Sequence, residues 1–464
     1  MAVVGAGISG LATALALADG GVNVTVLESC DRVGGKIAAS SFAGVDSVDE
    51  GADAFLARVP EAMALAQRVG LGDELVSPEP VGAAVWHGRL HPIPEGLMLG
   101  LPGRLLPLAT TGLLSWRGKA RAAIEPLLPR TSTDSDSIGA FVRARFGNEV
   151  HERLVDSLVG SIYAADTDRF SLAEVPQLAA LATGHRSVLL AARRQRTAQP
   201  GTATAAASPI FAVPRRGMSA LVAATSAAVV GAGGELRLAS PVDSLREAGE
   251  GKWRLVADGS RHHGNDDAFD AVVFATPPAA TASILAAEVP EAARLLGQTA
   301  TADVIMVTIH VAAEQWPEHL RGLSGYLIPK SDQCWVTAVS FASQKWRHWR
   351  PPAGGEILRV SLGRDGMNVM HLDDDQVLGH VRDDLRRHLG VEFSPLEVRI
   401  TRWPGAFAQY RPHHAEWVDR VEAALPPGVF VTGAGFRGIG IPACIRGGTT
   451  IATRASGHAR ALAD

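Results

Sequence analysis

Val3-Val4-Gly5-Ala6-Gly7-Ile8-Ser9-Gly10-Leu11 opens the chain, two β-branched residues running into a GxGxxG turn. The Ala/Leu-rich stretch from Leu11 to Asp19 reads as a helix, and Val22-Asn23-Val24-Thr25-Val26-Leu27 reads as a second strand ending on Glu28. Strand, glycine turn, helix, strand and acid together make one dinucleotide-binding unit. Gly5 permits the tight turn, Gly7 lets the backbone approach a pyrophosphate, and Gly10 lets helix and strand pack closely. Ala6, Ile8 and Ser9 complete the loop, and the helix N-terminus offers its N–H groups to phosphate. Glu28 lies eighteen residues past Gly10, near the spacing of an acid that accepts bonds from ribose hydroxyls.

The residues after Glu28 select among dinucleotides. Ser29-Cys30-Asp31-Arg32-Val33 leads into the doublet Gly34-Gly35, followed by Lys36 and Ile37. This Glu-x3-Arg-x-Gly-Gly pattern resembles the FAD-binding signature of the amine-oxidase, phytoene-desaturase and porphyrinogen-oxidase superfamily. The backbone freedom of the two glycines lets the chain pass close to phosphates and ribitol. FAD is therefore the expected cofactor.

The chain has 464 residues, enough for two or three domains with a substantial core. With 47% hydrophobic and 20% charged residues it is expected to be packed rather than disordered, and its formal charge of −4 argues against nucleic acid as a partner. Cys30, Cys334 and Cys444 are far apart and form no CxxC pair, so neither a disulfide framework nor a metal site is expected. The first apolar residues already belong to the nucleotide strand, so no signal peptide is expected and the cytoplasm is the expected compartment. Pro102, Arg104 and Pro107 interrupt the apolar segment Leu97 to Trp116, which is thus no membrane span. It is a candidate for peripheral contact with the inner face of a membrane or for the lining of an apolar cavity.

The texture alternates along the chain. Residues 1–80 form a first part of the FAD-binding domain, with a helix expected over Glu61 to Val69, and residues 81–210 a helical substrate domain with membrane-contact potential. Within the latter, Thr131 to Ser137 supplies helix caps before a helix over Ile138 to Phe146. Gln199 to Pro209 reads as a connector. Residues 211–290 return to the FAD-binding domain, with strands over Leu236 to Val242, Trp253 to Ala257 and Ala271 to Ala275, the last ending in Thr276-Pro277-Pro278. Residues 291–405 form a substrate-binding sheet, with alternating strands such as Val304 to Val311 and Trp335 to Phe341. Residues 406–464 close the FAD-binding domain. The fold class is α/β, a Rossmann-like FAD domain with a mixed-sheet substrate domain and a helical insertion.

The C-terminus carries the second strong motif. Gly428-Val429-Phe430-Val431-Thr432-Gly433-Ala434-Gly435 is a strand entering a glycine turn, followed by Arg437-Gly438-Ile439-Gly440-Ile441-Pro442-Ala443-Cys444-Ile445 and a helix from about Gly448. A glycine turn opening a helix again brings backbone N–H groups toward a ligand.

Other segments narrow the resemblance. Glu50-Gly51-Ala52-Asp53-Ala54-Phe55, His91 to Gly96, Ser161-Ile162-Tyr163-Ala164-Ala165-Asp166, Arg216 to Leu221, Arg402-Trp403-Pro404-Gly405-Ala406 and Gln409-Tyr410 follow one another in the order found in bacterial porphyrinogen oxidases. The chain resembles that family, and within it the Gram-positive coproporphyrinogen type, over nearly its whole length. Three positions depart from the family's usual pattern: Ala165 for Gly, Ala408 for Pro and Ala443 for Asp.

The resemblance implies that Gly5 to Gly10 hold the pyrophosphate and Glu28 with Ser29 the ribose. Lys36 and Gly51 to Ala54 would lie along the flavin, Val242 would frame the adenine, and Trp403 with Ile439, Gly440 and Ile441 would approach the isoalloxazine. It also implies oxidation of a porphyrinogen in three two-electron rounds, each passing a hydride to the flavin, with O2 giving H2O2. The cofactor carries that chemistry, so no catalytic acid or base is nominated, and His87, His91 and His310 are read as structural. Cationic candidates for the substrate's carboxylates are Arg89, Arg104, Arg215, Arg216 and Arg437. The resemblance to the Gram-positive copro-type enzymes makes coproporphyrinogen III the expected substrate, with protoporphyrinogen IX as the alternative. A flavin amine oxidase is the rival enzyme, though three tyrosines, Tyr163, Tyr326 and Tyr410, supply an aromatic cage poorly. A non-catalytic scaffold is the rival from another class. Nothing in the sequence fixes an oligomeric state.

Overall fold

A computed structural model describes residues 1–197, 209–257 and 268–463. The connector expected at 199–209 lies, apart from Pro209, outside the described residues.

Strand Ala2–Val4 is buried at every position, as expected where a parallel sheet is covered on both faces. It pairs in parallel with Thr25–Leu27 on one side and Val272–Phe274 on the other. Glu235–Arg237 and Val429–Val431 complete a five-stranded parallel sheet. Three distant pieces of the chain therefore build one nucleotide domain. Helix Ile8–Asp19 runs from Gly7 to Gly20 across this sheet and is covered by the terminal helix Ile441–Ala463.

A second sheet has seven strands, in the order Pro395–Ala408, Thr301–Val311, Glu356–Leu362, Val336–Phe341, Leu323–Leu327, Gly82–Trp86 and Leu90–Pro92. All its pairings are antiparallel except that of Gly82–Trp86 with Leu323–Leu327. Alternate side chains of the central strands enter an apolar core that includes Ile305, Val307, Val360 and Leu362, and the other face is left for a site.

Between the two sheets in sequence lies the helical insertion, with its own core around Phe141, Phe146, Leu154 and Leu178. Ser137 caps helix Ile138–Phe146 by accepting the Ala140 N–H at 3.2 Å. Arg145 and Glu125 form a fully buried ion pair, Nε to Oε1 at 2.8 Å, and Glu125 also accepts from Ser187, Val188 and Leu189 at the start of helix Val188–Thr197. Every lone pair is used, so the charges are tolerated without water.

Four local readings are corrected. The segment 82–92, read as part of the helical domain, adds two strands to the large sheet. Strand Pro395–Ala408 runs through the boundary expected at 405. The strand expected over Leu236 to Val242 ends at Arg237, because Ala239 takes a left-handed φ of 48° and the chain turns along the cavity. The terminal helix starts at Ile441 rather than near Gly448, since Pro442 in a first turn forfeits no hydrogen bond.

Inside that helix Gly448 is the point of closest approach: a Cβ there would sit 2.6 Å from the Ser9 carbonyl oxygen, whereas one on Gly457 would meet nothing within 4 Å. Gly448→Ala is expected to destabilise the chain by about 1–3 kcal/mol. Gly457→Ala is expected to stabilise it by about 1 kcal/mol. Thermal melts of the two variants make the comparison, and equal midpoints would mean that the two helices do not touch in this way.

Candidate functional site

The first glycine loop ends in a cavity of ≈ 670 Å³ between the nucleotide sheet and the seven-stranded sheet. Gly5 turns the chain at φ 101°, and a Cβ on Gly10 would lie 1.9 Å from the Gly5 carbonyl oxygen. Only glycine lets helix and strand meet there. Gly7 differs, because a Cβ on it would meet nothing within 4 Å, and it borders the cavity with Ile8 and Ser9. Of the three glycines of this loop, Gly7 alone has open space where a Cβ would be.

The glycine doublet packs against this loop. Gly34 N–H donates to the Ala6 carbonyl at 2.9 Å, and Gly34 and Gly35 take φ values of 107° and 55°. Glu28 ties the two segments together: Oε2 accepts the Ala6 N–H at 2.7 Å, and Oε1 accepts the Cys30 N–H at 3.0 Å. Lys36 reaches across to the large sheet, donating to the Ala406 carbonyl at 2.7 Å and to that of Gly405. It borders the cavity, and desolvation by its surroundings lowers its pKa to about 8. Trp403 donates Nε1–H to the Glu50 carbonyl at 3.0 Å, beside Gly51. At the far end the Tyr410 hydroxyl donates to the Ala434 carbonyl and accepts the Gly438 N–H, both at 2.9 Å, pinning the C-terminal glycine turn.

Of the residues nominated from sequence, Gly5, Gly7, Ile8, Ser9, Glu28, Ser29, Gly34, Gly35, Lys36, Gly51, Ala52, Val242, Trp403, Ile439 and Ile441 line this cavity. Ala6, Gly10 and Gly440 are not among the lining residues. Asp53 and Ala54 do not line it either, and Asp53 instead accepts from Lys345 at 3.0 Å and Trp346 at 3.1 Å. Burial opposes its ionisation, but Lys345 and Arg359 outweigh that and hold the carboxyl well below its ordinary value. Arg89, Arg104, Arg215, Arg216 and Arg437 are absent from the wall; Arg437, for one, pairs with Asp419 at 2.8 Å. The wall arginines are Arg359 and Arg364, which sequence reasoning missed. His87, His91 and His310 also lie away from the cavity, bonded to Asp332, the His87 carbonyl and the Gly354 carbonyl. Ser240, Pro241 and the Thr276-Pro277-Pro278 turn join the wall, and the end of a central parallel strand was the signal for the last.

Comparison with known proteins agrees with this geometry. The profile of the flavin containing amine oxidoreductase family matches residues 8–456. This chain belongs to that family. Among curated relatives, the coproporphyrinogen III oxidase of Bacillus subtilis (strain 168) is 31% identical over 96% of this chain and 95% of its own length. That of Propionibacterium freudenreichii subsp. freudenreichii is 32% identical over 96% and 88%. Among solved structures, an Exiguobacterium sp. 255-15 protein provisionally assigned as a protoporphyrinogen oxidase superposes with a TM-score of 0.83 at 27% identity, covering 98% of this chain and 97% of that one.

The cofactor of this flavin oxidoreductase is FAD, and the residues present fit it. The bare Gly7 backbone suits a diphosphate, and Glu28 at the edge of the second strand suits a ribose. Among the described residues no cluster of His, Cys, Asp or Glu is placed to hold a metal ion.

Behind the flavin side, Asp49 accepts the Met218 N–H at 3.0 Å, at the start of helix Met218–Gly231. Burial raises its pKa from 3.8 to about 7, with Arg359 opposing and Asp53 adding to the rise. The folded chain therefore binds this proton more tightly than the unfolded chain, and stability falls as pH rises between about 4 and 7. Asp49→Asn keeps an oxygen for the Met218 N–H and removes that slope. The midpoint of the variant relative to wild type is expected to climb from pH 5 to pH 8 in thermal melts, and a constant difference would contradict the assignment.

Proposed function

We propose that this flavin oxidoreductase oxidises coproporphyrinogen III to coproporphyrin III in haem synthesis, with O2 as acceptor and H2O2 as product. One observation carries the reading. Beyond the residues that fit FAD, the cavity is lined by Met306, Ser340, Ser361 and Gly363 from the large sheet and its end and by Gly160, Ser161 and Ala164 from the helical insertion. Small side chains leave room for a broad, flat substrate. Among the described wall residues Trp403 and Phe407 are the only aromatics and Lys36 the only lysine, a sparse supply for the aromatic cage of an amine oxidase. The named relatives support the same substrate class over 96% of the chain. Cavity-lining glycines at both ends of the chain argue against a scaffold that has lost its cofactor.

In this reading Gly5, Gly7, Ile8 and Ser9 take the pyrophosphate, Glu28 and Ser29 the ribose, and Val242 the adenine. Gly34, Gly35, Lys36, Gly51, Ala52, Trp403, Ile439 and Ile441 run along the flavin. FAD supplies the two-electron acceptor. The chain's own residues orient the macrocycle, exclude water with an apolar wall and hold a cation at Lys36. Six hydrogens leave the macrocycle as three O2 become three H2O2. No wall carboxylate is free to act as an acid or base: Glu28 is bonded as above, and Glu50 accepts from Ser40 at 2.7 Å and Thr401 at 3.1 Å.

Aerobic turnover of coproporphyrinogen III and protoporphyrinogen IX, side by side, tests the reading through porphyrin fluorescence and H2O2 above autoxidation. A preference for coproporphyrinogen III is expected. A preference for protoporphyrinogen IX keeps the chemistry and reverses the substrate, and FAD-loaded protein that beats autoxidation on neither defeats the reading.

We further propose cytoplasmic residence with peripheral membrane contact. In the segment 97–116, Leu101, Leu108, Leu113 and Leu114 are core, but Leu106 and Trp116 are about three-quarters exposed, as is Leu127 nearby. Arg104, Arg117 and Lys119 accompany them, a combination suited to an anionic lipid surface. No helix among the described residues is long and apolar enough to cross a membrane. Flotation with phosphatidylglycerol vesicles is expected to capture the chain, and W116S/L127S to weaken capture about tenfold or more. Equal recovery of both proteins would remove this surface from consideration.

A further inference from the structure

Lys36, Arg359 and Arg364 are the cations that border the cavity, and they are held in two different ways. Each arginine is only 5% exposed and faces a carboxylate: Arg364 meets Asp156 at 3.0 and 3.1 Å, and Arg359 Nη1 lies 3.6 Å from Asp53. Their charges are answered inside the protein. Lys36 is exposed, and its two acceptors, the Gly405 and Ala406 carbonyls, are neutral. It makes no ion pair among the described residues. Its titratable neighbour is the Cys444 thiol, which burial pushes up and keeps protonated at neutral pH. An ammonium has three donors, so two carbonyls leave one N–H free.

The lysine reaches from one half of the site to the other. Gly34 pairs with Gly7, and a Cβ on Gly35 would lie 3.5 Å from the Gly7 Cα, so the Lys36 backbone leaves from the first glycine turn. Its side chain ends on the large sheet, at a bulge in strand Pro395–Ala408. There Ala302 pairs with Phe407 and Val304 with Trp403, so Asp303 alone faces Pro404, Gly405 and Ala406. Asp303 accepts the Gly405 N–H at 2.7 Å, and Gly405 takes a φ of 57°. The surplus residues turn two successive carbonyls onto one ammonium. Bulges recur beside active sites, where they re-aim a group. Gly51 closes the same corner: a Cβ on it would lie 2.5 Å from the Lys36 carbonyl oxygen and 3.6 Å from the Trp403 ring. A positive charge is thus fixed in the wall without being cancelled. Such a charge is costly away from bulk water, and a neutral side chain would avoid the cost.

We propose that the Lys36 ammonium is the counter-charge to the reduced flavin. The inference deepens the reading above and rests on its placement of Lys36 along the flavin. Uptake of a hydride brings two electrons and one proton, so the isoalloxazine gains one unit of negative charge while the diphosphate keeps the charge it had. A fixed cation beside the ring stabilises the reduced form more than the oxidised one, and more strongly where water is excluded. It raises the reduction potential and makes the flavin a better hydride acceptor. A cation at the diphosphate would strengthen binding of both forms equally and leave the potential alone.

The test needs no porphyrinogen. FAD-loaded wild type, K36M, K36Q and K36R are reduced stepwise with dithionite against a reference dye at pH 7, where the Lys36 ammonium is charged. FAD affinity is measured separately by flavin fluorescence on the apoproteins. At a given potential the ratio of reduced to oxidised flavin is expected to fall about tenfold in K36M and K36Q, about 30 mV for a two-electron couple, and to recover in K36R. A merely structural role, or contact with the diphosphate, would lower FAD affinity without moving the potential. That outcome overturns the proposal, as does failure of both neutral variants to retain FAD. No substrate is present, so a negative result here leaves the porphyrinogen reading untouched. Conversely, wild type that turns over neither porphyrinogen but loses potential in K36M and K36Q keeps the Lys36 assignment and defeats only the substrate.

Discussion

Helix Ile8–Asp19 has no room for a side chain on either of two sides, and the architecture depends on that constraint. On one side Gly10 rests on the Gly5 carbonyl; on the other Gly448 of the terminal helix rests on the Ser9 carbonyl. The first contact aims the helix N-terminus at the cavity. The second brings a helix more than four hundred residues away in sequence onto the same element, and with it the turn at Gly433 to Ile439. One helix thus determines where both ends of the chain meet. Larger side chains at Gly10 or Gly448 would separate those ends before disturbing either motif.

The two sheets are joined by polar bonds as well as apolar packing. Lys36 donates to the Gly405 and Ala406 carbonyls, Trp403 to that of Glu50, and Arg359 to that of Gly51. In each case a side chain satisfies a carbonyl that belongs to no regular ladder across the boundary. Such bonds are directional, so they fix the angle between the sheets as well as their separation. Asp49 and Asp53 illustrate the setting. Four residues apart, one is pushed toward neutrality by burial while the other is held ionised by Lys345 and Arg359.

The parts legible in the sequence were those encoded in backbone conformation. Gly5, Gly34, Gly35 and Gly433 all take positive φ, a requirement that leaves glycine in the sequence whatever the rest of the fold does. Glu28 was legible for a related reason, since its place is set by the length of one strand–helix–strand unit. Arg359 and Arg364 were not, because nothing local separates them from the other arginines of an arginine-rich chain. Only pairing with Thr301–Val311 and Val336–Phe341 turns Arg359 toward the cavity, and Arg364 follows two residues past the end of the strand that carries Arg359. The strands at 82–92 escaped notice likewise, since their partner Leu323–Leu327 lies some 240 residues on. Asp53 was misplaced because a short motif does not reveal which of its members faces a ligand and which faces Lys345.

The cavity lining also bears on how one site serves a porphyrinogen, which must be oxidised three times. Different carbons of the macrocycle have to reach the same place beside the flavin, so the ring must turn or leave between rounds. A face built from Met306, Ser340, Ser361 and Gly363 offers no deep side-chain pocket to trap one orientation. Methionine is unbranched and adapts its shape to what lies on it. Tight binding at every edge would stabilise each ring orientation and slow the exchange between them, whereas a lining of small and unbranched side chains leaves the ring free to turn between rounds.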